Sequence, residues 1–379
     1  TQINEGFRLD GAYVLELDGT ILSHIQVVEK NLRTAAGLLP TAGIANVATH
    51  PAHRGKGYAT RLLKKALEDY RAKGFPLTAL FTGFASGPQK IYRKIGYMDV
   101  CVDRNWVAPL DDVKRLRRRL PWIELREAEE RDFRSVSKLY EKEGEFYTGW
   151  PTRPQRDWIE KMFKRTAYHT VFYVERKQGN FIVAEEGGEV LGYAAAMIPP
   201  WDRESMSVVE MLARRDRPDV LQALLTSVVE RAEGLGARTL VANLPAEPPF
   251  KKYLRVFQPR TGGGVFMSDV LSLDRLLYGV LPEAAKSVTE TVSIEFNYRG
   301  DKASVTVGGG EAALHGEKVQ VRVDLDPEAF NRLLFGYSTP LELLMKSTIS
   351  SEIPLEKVLE IFEALFKPKT MFIWPIDHW

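Results

Sequence analysis

One succession of elements occurs twice in this chain. A glycine-centred hairpin leads to a strand, a turn, an amphipathic helix closed by glycine, and a returning strand. In the first copy the hairpin strands are residues 12–16 and 21–29, joined at Asp18-Gly19, a pair suited to the positive φ of a tight turn. Residues 44–48 form a short apolar strand. The helix is Tyr58–Ala72, with Ala59, Leu62, Leu63, Ala66, Leu67 and Tyr70 on one face. Gly74 stops it, Pro76 prevents continuation, and residues 77–81 return as a strand. A strand–helix–strand unit of this length implies parallel pairing.

The second copy opens with a strand at 122–125 and helices at 131–141 and 158–164. Then come a hairpin (181–184 and 190–197, around Gly187-Gly188), a strand at 207–212, a helix at 220–232 and a strand at 239–242. From the hairpin onward the order matches the first copy, which an internal duplication explains. After it the pattern changes. Residues 292–298, 303–307 and 319–324 alternate apolar and polar, as half-buried strands do, and residues 328–335 and 355–366 are amphipathic helices. The expected fold class is therefore α/β and α+β: units at 1–120 and 121–273, then an α+β unit at 274–379. In the second unit a strand and two helices precede the hairpin; the first unit begins almost on its hairpin. The repeat predicts that roughly 45 to 60 residues of a natural first unit are absent from this sequence.

Composition excludes several classes. With 44% apolar residues and 27% charged residues the chain is neither disordered nor a disulfide scaffold. A net charge of +2 gives no concentrated basic surplus, so no nucleic-acid partner is expected. The basic run 114–119 reads as a solvated helix face, with a nucleic-acid or membrane role as the lesser alternative. Cys101 is the only cysteine and fits a cytoplasmic location and a small packed side chain. No apolar run approaches membrane-spanning length, and no signal peptide is expected from the first residues given.

The chemistry concentrates at residues 46–59, between a strand and the start of the long helix. Gly55 and Gly57 permit positive φ and close approach of a ligand, the helix start offers unpaired N–H groups, and Arg54 and Lys56 add charge. That is an anion cradle suited to a pyrophosphate. It lacks the Gly-Lys-Ser/Thr ending of a P-loop and the third glycine of a dinucleotide fingerprint.

This segment resembles the acetyl-CoA motif of the GNAT N-acetyltransferases. The family's Arg/Gln-x-x-Gly-x-Gly/Ala is met by Arg54, Gly57 and Ala59, and its flanking Val-x-x-x-Pro-x-x-Arg by Val47, Pro51 and Arg54. Residues 91–97 are similar to its Leu-Tyr-x-x-x-Gly-Phe, with Tyr92 at the tyrosine. The resemblance implies acetyl-CoA as co-substrate, held by Val47, Ala48, Thr49, Arg54, Gly55, Lys56, Gly57, Tyr58 and Ala59, with no metal. It implies Tyr92 as the acid that protonates the departing thiolate. The equivalent turn of the second unit, residues 213–219, has no glycine and carries Asp216 and Asp219, so one CoA site per chain is expected. Two GNAT-like units before an α+β tail look like the Eis (enhanced intracellular survival) family, whose tail resembles a sterol carrier protein. Here 325–336 and Ser338-Thr339-Pro340 are similar to that domain. In that family the C-terminal carboxylate acts as base, a position held here by Trp379, and a homo-oligomer, often a hexamer, is the assembly. The acceptor is then a small-molecule amine or a lysine. A lipid-binding module and a CoA-sensing protein without turnover are the alternatives. His50 and His53 read as loop or capping residues, and the aromatic run 146–151 as core or interface.

Overall fold

The computed structural model describes residues 7–163, 179–315, 318–367 and 369–379. The first unit contains β1 (Phe7–Leu17), β2 (Thr20–Thr34), β3 (Gly37–Thr49), α1 (Tyr58–Ala72), β4 (Leu77–Gly83), α2 (Gly87–Ile95) and β5 (Met98–Pro109), followed by the short α3 (Leu110–Lys114). Asp18 and Gly19 both take positive φ at the β1–β2 hairpin, as the sequence requires. The crossover is as expected: β3 pairs parallel to β4, with α1 between them. Leu62, Leu63 and Ala66 of α1 bury against Ile25, Val27, Ala42, Ile44 and Leu80 on one sheet face.

The second unit holds β6 (Glu124–Glu127), α4 (Phe133–Gly144), β7 (Tyr147–Thr148), α5 (Gln155–Asp157) and a π-helical turn at Trp158–Phe163, then β8 (Phe181–Glu186), β9 (Glu189–Met197), β10 (Ser205–Ala213), α6 (Pro218–Gly234), β11 (Thr239–Ala242) and β12 (Gln258–Val270). β10 and β11 pair parallel across α6, repeating the first crossover. The strand expected at 122–125 begins later, at Glu124, because Trp122 sits in a turn with its indole N–H toward Asp219 (3.5 Å). Of the helix expected at 158–164, residue 164 lies outside the described residues. Of the basic run only Lys114 is helical, so it is not the helix face expected; residues 115–119 are a turn and an irregular segment laid along α6, where Lys114 and Arg117 pair with Glu233 and Arg119 with Glu230.

The two units share one eleven-stranded sheet, in the order β1-β2-β3-β4-β12-β5-β11-β10-β9-β8-β6. β12 leaves the second unit and inserts between β4 and β5 of the first, pairing Gly264–Val270 with β4 and spanning β5 from Val107 to Met98. β5 in turn ends against β11. Neither strand was anticipated. β12 carries Pro259 and Gly262-Gly263-Gly264, residues that normally punctuate strands. The glycines absorb a register break opposite Asp103, where a Cβ on Gly264 would collide with the carboxylate.

The third unit has α7 (Leu273–Tyr278), α8 (Leu281–Ser287), β13 (Val292–Tyr298), β14 (Asp301–Gly308), β15 (Glu311–Leu314), β16 (Val321–Asp324), α9 (Pro327–Leu334), α10 (Pro340–Lys346), β17 (Thr348–Ser351), α11 (Leu355–Leu365) and β18 (Thr370–Met371). Asp326 caps α9 by accepting from Ala329 N, as Asp-Pro predicts. Five of its six strands form a separate sheet, β15-β14-β13-β16-β17. This unit covers the first sheet's face opposite α1, where Phe266 meets Phe335 with ring centres 5.0 Å apart.

One interface group carries a pH dependence. Asp269 of β12 accepts from Tyr298 Oη at 2.5 Å and from Arg299 Nη1 at 3.2 Å, and Arg299 also donates to Gly96 O at 3.0 Å. Burial, only partly offset by Tyr298 and Arg299, raises its carboxyl from 3.8 to about 6. The folded state thus holds this proton more tightly than the unfolded chain does. The group's stabilisation is complete below pH 4 and is lost as pH rises through 6, by about 3 kcal/mol. Asp269→Asn should abolish that slope: the variant gains about 3 kcal/mol relative to the parent between pH 4 and pH 8. Denaturant midpoints at both pH values measure it, and parallel pH profiles would refute it.

Candidate active site

Two strands that begin as neighbours part here. β3 and β4 pair from Thr41↔Leu77 to Ile44↔Leu80 and no further. Beyond Ile44, β3 follows β2 alone, and β4 follows β12 alone. The β2–β3 ladder skips Asn46 and Val47, and Asn46 takes φ +49, so the strand bulges as it diverges. The result is a wedge-shaped gap whose β3 side runs through Val47, Ala48 and Thr49. Backbone N–H groups on that edge have no β4 acceptor, and such groups serve an anion or an oxyanion.

The cradle closes one end of the gap. A single 3-10 turn, Pro51–His53, leads into Arg54, and α1 starts at Tyr58 with Gly57 as its N-cap. Gly55 and Gly57 take φ of +79 and +78, and a Cβ on either would meet no atom within 4 Å. The glycines are there for their backbone conformation and for the open space before the helix start. Arg54, Gly55, Lys56 and Gly57 are exposed, and Tyr58 and Ala59 are half-buried behind them. Arg54 Nε lies 3.4 Å from Thr49 O, which ties the cradle to the end of β3. His50 and His53 form an edge-to-face pair at 5.4 Å in the turn, a packing role. The residues present fit a diphosphate: open N–H donors, two cations, and no carboxylate among residues 46–59.

Tyr92 lies on α2, which Ser86 caps by accepting from Gln89 N. Its ring is buried with Leu62, Leu63, Ile44 and Leu80, on the α1 side of the sheet, and packs on Tyr97 at 5.9 Å. Burial raises its phenol to about 12, and no charged or hydrogen-bonding neighbour contributes. The side chain stays protonated at neutral pH and is available as a donor.

Residues 378 and 379 lie on the opposite face of the sheet, over the last paired residues of β3 and β4. Side chains alternate along a strand, so Ala79 and Phe81 point away from α1 while Leu80 points toward it. His378 stacks on Phe81 with ring centres 3.9 Å apart, and the Trp379 indole meets Phe81 edge-on at 5.1 Å. The indole fills the space over Gly43, where a Cβ would lie 2.6 Å from Trp379 Nε1. Gly43 immediately precedes Ile44, the last residue of β3 to pair with β4. Burial holds His378 below the ordinary imidazole value, so it is a neutral ring there.

Residues not anticipated from the sequence fix this terminus. β18 pairs with β7, Phe372 N donates to Thr148 O at 2.9 Å, and Trp374 packs on the buried Trp150 at 5.3 Å. The aromatic run 146–151 is thus core and interface: Tyr147 and Trp150 are buried, although Phe146 is not. Asp377 is buried and bound by Arg153 and Tyr140. The sequence offered one signal of this, Glu210, a lone charge in the otherwise uncharged strand β10. Cys101 packs beside Met371 (3.6 Å), and burial pushes its thiol up to about 12, unsuited to a nucleophile.

No group of three or more metal-ligating side chains is assembled among the described residues, and none of the described helices is long and apolar enough to cross a membrane. A family model described as an acetyltransferase (GNAT) domain matches residues 2–99, which hold the gap, the cradle and Tyr92. No curated protein matches the chain. Among solved structures, a GCN5-related N-acetyltransferase from Kribbella flavida is similar at 18% identity and a TM-score of 0.70, over 97% of this chain and 87% of that one. A GCN5-related N-acetyltransferase from Anabaena variabilis matches at 15% identity and 0.72, over 99% and 91%. Eis1 from Mycobacterium abscessus matches at 16% identity and 0.65, over 99% and 92%. The chain therefore shares its fold with these proteins over nearly its whole length, and residues 2–99 match a GNAT acetyltransferase domain, a domain that implies acetyl-CoA as co-substrate and acyl transfer to an amine.

Proposed function

We propose that the protein transfers acetyl from acetyl-CoA to a primary amine by direct attack in a ternary complex, with Tyr92 as general acid and the Trp379 carboxylate as base. The observation that carries this reading is the convergence at Ile44: the cradle and Tyr92 approach on the α1 face, and the C-terminus on the other. Arg54, Lys56 and the N–H groups at Gly55, Gly57, Tyr58 and Ala59 would hold the diphosphate. The thioester would lie in the gap, its carbonyl oxygen served by amides of Val47, Ala48 and Thr49. An ammonium has no lone pair and cannot attack, so it first gives a proton to the terminal carboxylate. The freed amine then forms the C–N bond, and the C–S bond breaks as Tyr92 donates to the sulfur. The second proton, left on the acylated nitrogen, returns to Tyr92 through solvent, and the carboxylate releases its own proton to solvent.

The second unit supports a single CoA site. At its equivalent turn Arg214 binds Asp216 and Arg217 binds Asp219, while Glu189 and Glu186 take the remaining guanidinium donors. The cations that a diphosphate would need are already neutralised. The lipid-binding alternative gains nothing from the third unit, whose interior is filled by Phe296, Phe330, Phe362 and Phe366 with ring centres 5.4 to 6.0 Å apart. The acceptor is an amine of a small molecule or of lysine, and a homo-oligomer remains part of this reading.

Thiol release from acetyl-CoA across a panel of primary amines tests the activity. Tyr92→Phe should lower kcat by about 10²-fold, with acetyl-CoA affinity unchanged. A panel without turnover, or a Tyr92→Phe protein that behaves as the parent does, would favour a CoA-sensing protein instead.

A further inference from the structure

The terminal residues belong to the third unit, and the sheet face they lie on belongs to the first. What secures them is in the second. Asp377, two residues before the terminus, is 1% exposed. Its carboxylate accepts from Arg153 Nε at 2.9 Å and Nη2 at 2.8 Å, and from Tyr140 Oη at 2.7 Å. Arg153 is itself over-determined. Glu210 of β10 takes Nη1 at 3.2 Å and Nη2 at 2.8 Å, and the guanidinium lies in the corner of the edge-to-face Tyr140–Trp158 pair, 4.2 Å from each ring centre. Tyr193 donates to Glu210 in turn. A buried guanidinium held in a two-carboxylate fork and packed against two rings has little freedom to move.

We infer that Arg153, fixed by Glu210, is a positioning residue that sets the place of the Trp379 carboxylate through Asp377, so that the second unit serves the first as the anchor of its base. This rests on the terminal carboxylate being the base. Residues 378 and 379 have no ionic fixing of their own among the described contacts; beyond the backbone bond from His378 N to Pro375 O (3.3 Å), they are held by ring packing on Phe81 and over Gly43. Ring packing tolerates sliding, whereas a bidentate ion pair sets direction. A hydrophobic replacement of such a triad often leaves stability unharmed, so fixed geometry is a reason for it to be ionic.

The test uses Asp377→Asn, which keeps shape, and Tyr140→Phe, which removes one hydrogen bond but keeps the ring under Arg153. The Tyr140 hydroxyl also lies 2.9 Å from Pro151 O, so Asp377→Asn is the sharper of the two. Each is made in the full chain and in a chain extended by one glycine after Trp379. Thermal melts confirm folding at the assay temperature. We expect Asp377→Asn to lower kcat about 10- to 100-fold with the KM for acetyl-CoA within twofold, and Tyr140→Phe to lower it less. In the extended chain, which has already lost the base, Asp377→Asn should cost nothing further. If both single variants keep the parental kcat while the extension abolishes it, the anchoring inference is wrong and the base assignment stands. If the Asp377→Asn loss multiplies fully with that of the extension, Asp377 acts on stability or elsewhere, and the inference also falls. If the extension leaves kcat intact, the base assignment itself fails and takes this inference with it. Should Asp377→Asn not fold, Tyr140→Phe in the two backgrounds supplies the same comparison.

Discussion

Gly57→Glu should eliminate acetyl-CoA binding, with an affinity loss of at least about 100-fold, equivalent to ~3 kcal/mol. Two effects combine. At φ +78 any side chain is strained, by about 1 kcal/mol or more. The larger effect is charge: a carboxylate at the N-cap of α1 occupies the position where the helix dipole and its open N–H groups would meet a diphosphate. Because a Cβ there meets no protein atom within 4 Å, the fold should survive, and circular dichroism should match the parent. Calorimetric titration with acetyl-CoA is the measurement. Affinity equal to the parent's would place the cofactor elsewhere. Gly57→Ala, which has the strain without the charge, should lose far less.

The second large effect concerns the last residue. Adding one glycine after Trp379 turns its carboxylate into a neutral amide, which cannot accept a proton. The kcat should fall by about 10²- to 10⁴-fold, the range for loss of a positioned general base. Acetyl-CoA binding should not change, since the cradle lies on the other face of the sheet. The loss should be greatest at neutral pH, where the acceptor is almost entirely ammonium, and should shrink as pH rises toward the amine's own pKa. Full activity in the extended chain would refute the assignment. An extended chain whose deficit is the same at every pH would also count against proton removal as the step affected.

The sequence revealed whatever is encoded over short range. The cradle turn, α1 and the β1–β2 hairpin each rest on a few adjacent residues with fixed backbone needs. What was hidden depends on contacts between remote segments. Arg153, Glu210 and Asp377 lie in three separate stretches, and nothing near any one of them shows that they meet. β5 and β12 were hidden for a different reason. Their residues fit strand propensity poorly, with Pro109 and Pro259 at strand ends and a run of three glycines inside β12, and pairing with distant strands overrides that preference. The duplication was visible in the order of elements, but the trade of strands between the copies was not, because order says nothing about which edge a strand joins.

That trade also governs how the chain can be made. β12 lies between β4 and β5, so the sheet that carries the candidate site is incomplete until residue 270 has emerged from the ribosome, long after α1 and its cradle. Until then β4 presents an open edge rich in apolar residues, the kind of surface that recruits the wrong partner. Expressed by itself, a fragment ending near residue 120 should aggregate or dimerise through that edge. The nascent chain's hold on solubility during synthesis is therefore a property of the second unit as much as of the first.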